Sequence, residues 1–129
     1  MRTIQRMVLS AMLVASAIAV APAAGARAGD VVRTGACSGA SDWKLKLGPE
    51  DDGIQLEFEV DSNRAGQTWR IRIRQNGGVI FSGRRVTKAP SGSFTVRRLA
   101  KDTAGTDAFR AAATNAATGE TCVGRASIG

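Results

Sequence analysis

The sequence predicts an all-β protein: an immunoglobulin-like antiparallel β-sandwich of about seven to eight strands with one disulfide. Three observations carry this expectation. Apolar residues recur at every second position through much of the chain, which is the period of a strand buried on one side. Turn signals interrupt that alternation about every ten residues, the rhythm of a small sandwich or barrel. Two cysteines, Cys37 and Cys122, stand close to the two ends of the alternating region.

The chain has 129 residues. Residues 1–28 read as a secretory signal peptide. Arg2 and Arg6 precede an apolar stretch at 7–20, broken only by Ser10 and Ser16, and Pro22 with a run of small residues follows. Ala26-Arg27-Ala28 and Ala24-Gly25-Ala26 both place small residues where a signal peptidase reads, so cleavage after Ala28 or after Ala26 is left open. As a helix the apolar stretch spans about 21 Å, short of a hydrocarbon layer of ~30 Å, which argues against a retained anchor. Residues 29–129 then form a single domain, large enough to bury a core with little to spare. Loss of Arg2, Arg6 and Arg27 lowers the formal net charge from +7 to +4. In an exported chain, Cys37 and Cys122 read as one disulfide. A lipid anchor on Cys37 is the weaker alternative, because the preceding "RTGA" lacks the apolar residue such a site needs.

Each element follows in order. "VVRTGAC" is a possible first strand. In "SDWKLKL" Trp43, Leu45 and Leu47 share one face, and Lys44 and Lys46 share the other. Residues 48–53, "GPEDDG", turn the chain. Ile54, Leu56, Phe58 and Val60 then face inward, with Gln55, Glu57 and Glu59 outward. An antiparallel register that pairs Lys46 with Glu57 and Lys44 with Glu59 keeps Leu45 opposite Phe58. A register two residues away also opposes the charges. Residues 61–67 are a loop. "TWRIRIRQ", 68–75, puts Trp69, Ile71 and Ile73 on one side and Arg70, Arg72 and Arg74 on the other. "NGG" at 76–78 supplies the positive φ of a tight hairpin turn. "VIFSGRRVT" returns with a mixed pattern, in which Gly83 suggests a bulge or bend. After the turn "APSGS", "FTVRR" sends Phe94 and Val96 inward and Thr95 and Arg97 outward. Residues 101–107 connect to "AFRAAATNA", where Phe109, Ala111 and Ala113 share a face and the small residues suit a close approach of two sheets. "ATGE" turns into the last strand, "TCVGRASI".

The arrangement resembles an immunoglobulin-like or fibronectin type III-like sandwich over Ser41 to Ile128. The resemblance rests on "WRIRIRQNG" as a central strand with a buried tryptophan, on "PSGSFTV" and on "AGTDAFRAAA". It departs from antibody domains in having no tyrosine, hence no tyrosine corner, and no cysteine where their inter-sheet bridge lies. The chain also resembles small secreted actinobacterial proteins of unknown function. These share a cysteine near the mature start, a "WKLKL"-like strand, "EFEVDSN", "GQTWR" and a late "TC". The 14 arginines against 4 lysines fit a G+C-rich source. That resemblance strengthens the fold and implies no activity.

The composition restricts the chemistry. The chain has no histidine and no tyrosine, so the usual proton carrier near neutral pH and a phenolic acid are both missing. With both cysteines oxidised no thiolate nucleophile remains. No glycine-rich loop opens a helix, so no phosphate cradle of that type is expected. Glu57 and Glu59 lie ~6.4–6.8 Å apart at Cα on one face, a spacing that overlaps glycosidase carboxylate pairs, but the neighbouring lysines explain them as a salt-bridged outer face. Glu50, Asp51 and Asp52 on one loop and Asp61 with Asn63 on another offer hard oxygen ligands for calcium, without EF-hand spacing. No catalytic residue, metal or cofactor is therefore expected, and the chain reads as a non-enzyme.

The arginine row is the leading candidate site. Arg70, Arg72 and Arg74, joined by Arg84 or Arg85 and with Arg97 or Arg110 nearby, would form a basic strand face on the sheet that lacks the acidic strand. Guanidinium groups suit bidentate contact with carboxylates and phosphates. The bland alternative is a solvated face that guards a sheet edge. The expected function is a secreted binding or structural module for an anionic cell-envelope or extracellular partner: a teichoic-type wall polymer, an acidic polysaccharide or an acidic protein. Nucleic acid is disfavoured, because Trp43, Trp69, Phe58 and Phe94 all fall on core faces and leave nothing to stack on bases. The alternatives are an interaction or inhibitor domain using a loop, at 61–67 or 90–93, and a carboxylate hydrolase.

Overall fold

The computed structural model describes residues 27–129. The signal-peptide reading falls on residues 1–28 and so lies almost wholly outside the described residues. Eight strands form, and no helix is found among the described residues: β1 (Val31–Ala36), β2 (Asp42–Glu50), β3 (Gly53–Asp61), β4 (Thr68–Gln75), β5 (Gly78–Val86), β6 (Ser93–Ala100), β7 (Asp107–Asn115) and β8 (Thr121–Ile128). They make two four-stranded antiparallel sheets. Sheet A has the order β1-β2-β3-β6 and sheet B the order β5-β4-β7-β8. The chain crosses between sheets after β3, β5 and β6, so β6 returns to lie beside β3. This is the Greek-key connectivity of an immunoglobulin-like sandwich.

The two-residue period dictates what is buried. Leu45, Leu47, Leu56, Phe58 and Val60 of sheet A are fully enclosed against Trp69, Ile73 and Ala111 of sheet B. The rings of Trp69 and Phe94 meet across the core, with centroids 6.2 Å apart and planes tilted by 52°, a favourable aromatic arrangement. The β2–β3 hairpin adopts the first of the two expected registers: Lys44 opposes Glu59, Lys46 opposes Glu57 and Leu45 opposes Phe58. A one-residue slip would send every side chain to the wrong face.

The two flanks of the sandwich differ. On one, Cys37, just beyond β1, is bonded to Cys122 on β8. Neither cysteine is free, so no thiol remains for a lipid anchor. The half-buried Trp43 fills the space beside this bridge, lying over Gly35 of β1 and Gly124 of β8. On the other flank, Phe81 of β5 is half-buried, with the guanidinium groups of Arg85 and Arg98 5.2 and 5.6 Å from its ring centre. Gly83 is not the bulge. The irregularity falls where Ile73 opposes Phe81 and Arg74 opposes Val79, leaving Ile80 as the extra residue. Gly83 stays in register opposite Ile71, and a Cβ there would come 2.9 Å from the Phe81 ring. It is small because the ring lies across it.

Candidate binding face

The expected row is present. β4 runs through the middle of sheet B, and its burial alternates so that Trp69, Ile71 and Ile73 face the core while Arg70 and Arg72 are exposed and Arg74 is half-exposed. Register partners extend the row sideways. Arg70 lies opposite Arg84 on β5, and Arg74 opposite Arg110 on β7. Arg110 in turn lies opposite Arg125 on β8. Among the described residues, six arginines thus share the outer face of sheet B.

Among the described residues, no carboxylate on the strands of sheet B answers them on that face. The four strands of sheet B contain one acidic residue, Asp107, and it is fully buried. Sheet A is different. There Arg97 Nε lies 3.1 Å from Glu57 Oε1, Lys46 Nζ lies 3.5 Å from Asp30 Oδ2, and Lys44 stands opposite Glu59. Arg27 pairs with Glu50 at the edge of the same sheet. Arg74 is held at the hairpin end of its row by donating from Nη1 to the Gly77 carbonyl, 3.0 Å.

Two of the expected neighbours belong elsewhere. Arg97 lies on sheet A, paired with Glu57, and Arg85 points to the opposite side of β5 from Arg84, against Phe81. Arg125 was not anticipated. Its signal is the alternation of the last strand: Cys122, Gly124 and Ala126 are inward, so Val123 and Arg125 are outward.

The face is relieved rather than flat. A shallow depression of about 440 Å³ is lined by Arg70, Arg72, Arg74, Ser82, Arg84 and Arg110 among others. A second, of about 360 Å³, is bordered by Arg74, Arg110 and Arg125. The two share Arg74 and Arg110, so they meet there and continue along β4 and β7. Ser82, Ala112 and Thr114, all short side chains, line the first depression beside the arginines.

The remaining candidate residues are dispersed. Glu50, Asp51 and Asp52 sit at the turn of the β2–β3 hairpin, whereas Asp61 is at its other end, opposite Asp42. The two acidic loops are therefore at opposite ends of the sandwich and cannot share one ion. Asp61 Oδ1 instead accepts from the Asn63 backbone N–H, 2.9 Å. Glu57 is engaged by Arg97, and Glu59 accepts from Thr95 Oγ1 at 3.5 Å.

The two candidate loops form one unit. Ser62 N donates to Gly92 O at 3.0 Å, and a Cβ on Gly92 would lie 2.2 Å from the Arg64 nitrogen. Gly92 also has φ of 71°, so glycine is required there twice over. No protein-family profile, curated protein or solved structure matches the chain.

Proposed function

We propose that the protein is a secreted, non-catalytic binding module that holds an anionic cell-envelope or extracellular partner on the outer face of sheet B. One observation carries this reading: the sandwich separates its charge. On its outer face sheet A sets Lys44, Lys46 and Arg97 against carboxylates, while the outer face of sheet B displays six arginines with none among the described residues. Two arginines directly opposite each other on neighbouring strands destabilise a sheet, so a fold that only needed a wet surface would gain from mixing the signs. Export is supported by the disulfide, which persists in oxidising compartments. No helix among the described residues is long and apolar enough to cross a membrane.

The test is co-sedimentation of the oxidised protein with isolated cell envelopes across a salt series, beside a variant carrying Arg70→Gln, Arg72→Gln and Arg74→Gln. Binding to a polyanion falls steeply with salt, and the slope falls as phosphate- or carboxylate-contacting arginines are removed. Equal sedimentation of the two proteins would remove the arginine row from the function.

A second reading has its own observation. The 62–67 and 87–92 loops are fastened together by the Ser62–Gly92 hydrogen bond and by Thr87 Oγ1, which accepts from Gln67 N at 2.9 Å and donates to Arg64 O at 2.6 Å. A preorganised loop pair of this kind suits recognition of a protein partner. Such binding would tolerate salt and survive the arginine substitutions.

A further inference from the structure

Resting on the reading of sheet B as a polyanion-binding face, we infer that the polymer it recognises is a linear, base-free phosphodiester chain lying along β4. Alternate residues of an extended strand are ~6.4–6.8 Å apart, so Arg70, Arg72 and Arg74 leave the backbone at that interval on one face. β4 keeps that spacing because its ladder to β7 runs without interruption from Trp69 to Gln75, and the irregularity opposite it is absorbed by β5.

The matching anion follows from bond counting. A peptide covers 3.3–3.6 Å with three backbone bonds, so a polymer with six backbone bonds per charge advances ~7 Å per charge when extended. A polyol phosphate with three carbons between phosphates has six: P–O, O–C, C–C, C–C, C–O and O–P. A chain of directly linked phosphates has two, which sets neighbouring charges less than half as far apart as the positions of the row. Each phosphodiester also presents two oxygens to the fork of one guanidinium.

The relief of the face agrees. The two depressions meet at Arg74 and Arg110 and so continue in the strand direction, as a linear ligand needs. Arg84 on β5 and Arg110 on β7 stand on either side of the row, with Arg125 beyond Arg110 on β8, and would hold the chain laterally. Single-stranded nucleic acid shares the six-bond spacing, but the outward residues of β4, β5, β7 and β8 include no aromatic ring on which bases could stack. The base-free polymer is therefore the better match.

The deciding experiment titrates the oxidised protein with four oligomers of equal charge: oligo(1,3-propanediol phosphate), linear polyphosphate, oligogalacturonate and oligothymidylate. The propanediol phosphate is expected to bind at least about tenfold more tightly than the polyphosphate and the galacturonate, and no more weakly than the thymidylate. Arg72→Gln, an exposed substitution, should lower the slope of log affinity against log salt by ~0.7. Equal affinity for all four would overturn the spacing argument while leaving the polyanion reading intact. Tighter binding of the thymidylate would overturn it in favour of base recognition. An unchanged slope in Arg72→Gln would remove the β4 row from the contact. Failure to bind any of the four would overturn both this inference and the reading beneath it.

Discussion

Arg70 on β4 and Arg84 on β5 are register partners, two like charges directly opposite each other on the exposed face of one sheet. Such pairs cost stability and opposite-sign pairs add it, by ~0.2–1 kcal/mol each. Arg84→Glu is therefore expected to raise the urea midpoint by an amount worth about 0.5–1 kcal/mol at low salt, shrinking as salt screens the pair. The same substitution should weaken polyanion binding. A variant that loses stability, or gains it without losing binding, would show that the pair is not held for function.

Trp43 has room only because two neighbours lack side chains. A Cβ on Gly35 would lie 2.6 Å from its Cζ2, and a Cβ on Gly124 would lie 2.8 Å from its Cε3. Gly35→Ala or Gly124→Ala should each force the indole out of place and cost ~1–3 kcal/mol, the range for overpacking. Denaturant titration measures this directly. Gly77→Ala is the informative contrast for space alone: nothing lies within 4 Å of a Cβ there, although its φ of 86° carries its own strain.

The Cys37–Cys122 bond spans a sequence separation of 85 residues and joins the two sheets along one flank. In the chain-entropy account a loop that long contributes ~4–5 kcal/mol. Replacing both cysteines with alanine should lower stability by up to about that amount. Part of the local structure should survive, because Glu120 independently binds the 39–41 segment: its carboxylate accepts from Gly39 N and Ser41 N at 3.0 Å and from Ser41 Oγ at 2.8 Å. Comparing urea curves with and without reductant gives the value. A loss below ~1 kcal/mol would show that the rest of the flank suffices.

Asp107 closes the opposite end of the sandwich. Its buried carboxylate accepts from Thr103 Oγ1 and from Thr103 N, Gln75 Nε2 and Asn76 Nδ2 at 2.9–3.0 Å. The Thr103 hydroxyl is the main influence that lowers its pKa to about 2 from the usual 3.8, helped by Gln75 and Asn76 and opposed by burial. A group with a depressed folded pKa stabilises the protein above its unfolded pKa and loses that contribution as pH falls through the folded value. Stability should therefore decline from about pH 4 toward about pH 2. In Asp107→Asn the decline should be shallower and start from lower stability at neutral pH. Thermal melts across that range check both, and an acid limb identical to that of the unsubstituted protein would assign the titration to other carboxylates.

How far these features could be read in the sequence depended on how local they are. Alternation is local, so the faces of β2, β3, β4, β6 and β7 were legible, whereas charge matching across the short turn allowed two registers, of which the structure adopts the one that pairs Lys44 with Glu59. Asp107 was not legible as a staple. It reads as a connector residue, and of its partners Gln75, Asn76 and Thr103 the first two are distant in sequence. Gly83 misled for a related reason: a glycine in a strand can mark a bulge or make room for a ring, and only the position of Phe81 decides between them.

By itself, the sequence determined the all-β class, the pairing of Cys37 with Cys122, the inward and outward sets of most strands, and the row Arg70, Arg72 and Arg74. Each of these follows from periodicity or from a residue type that has one available partner. Which arginines join that row was decided only by tertiary structure. Arg84 and Arg110 come from the two strands that sheet order places beside β4, and Arg125 from β8 one strand further out, while Arg97, equally plausible along the chain, is carried to the other sheet and neutralised by Glu57. Strand order depends on how the whole core packs, and no local pattern of residues encodes it.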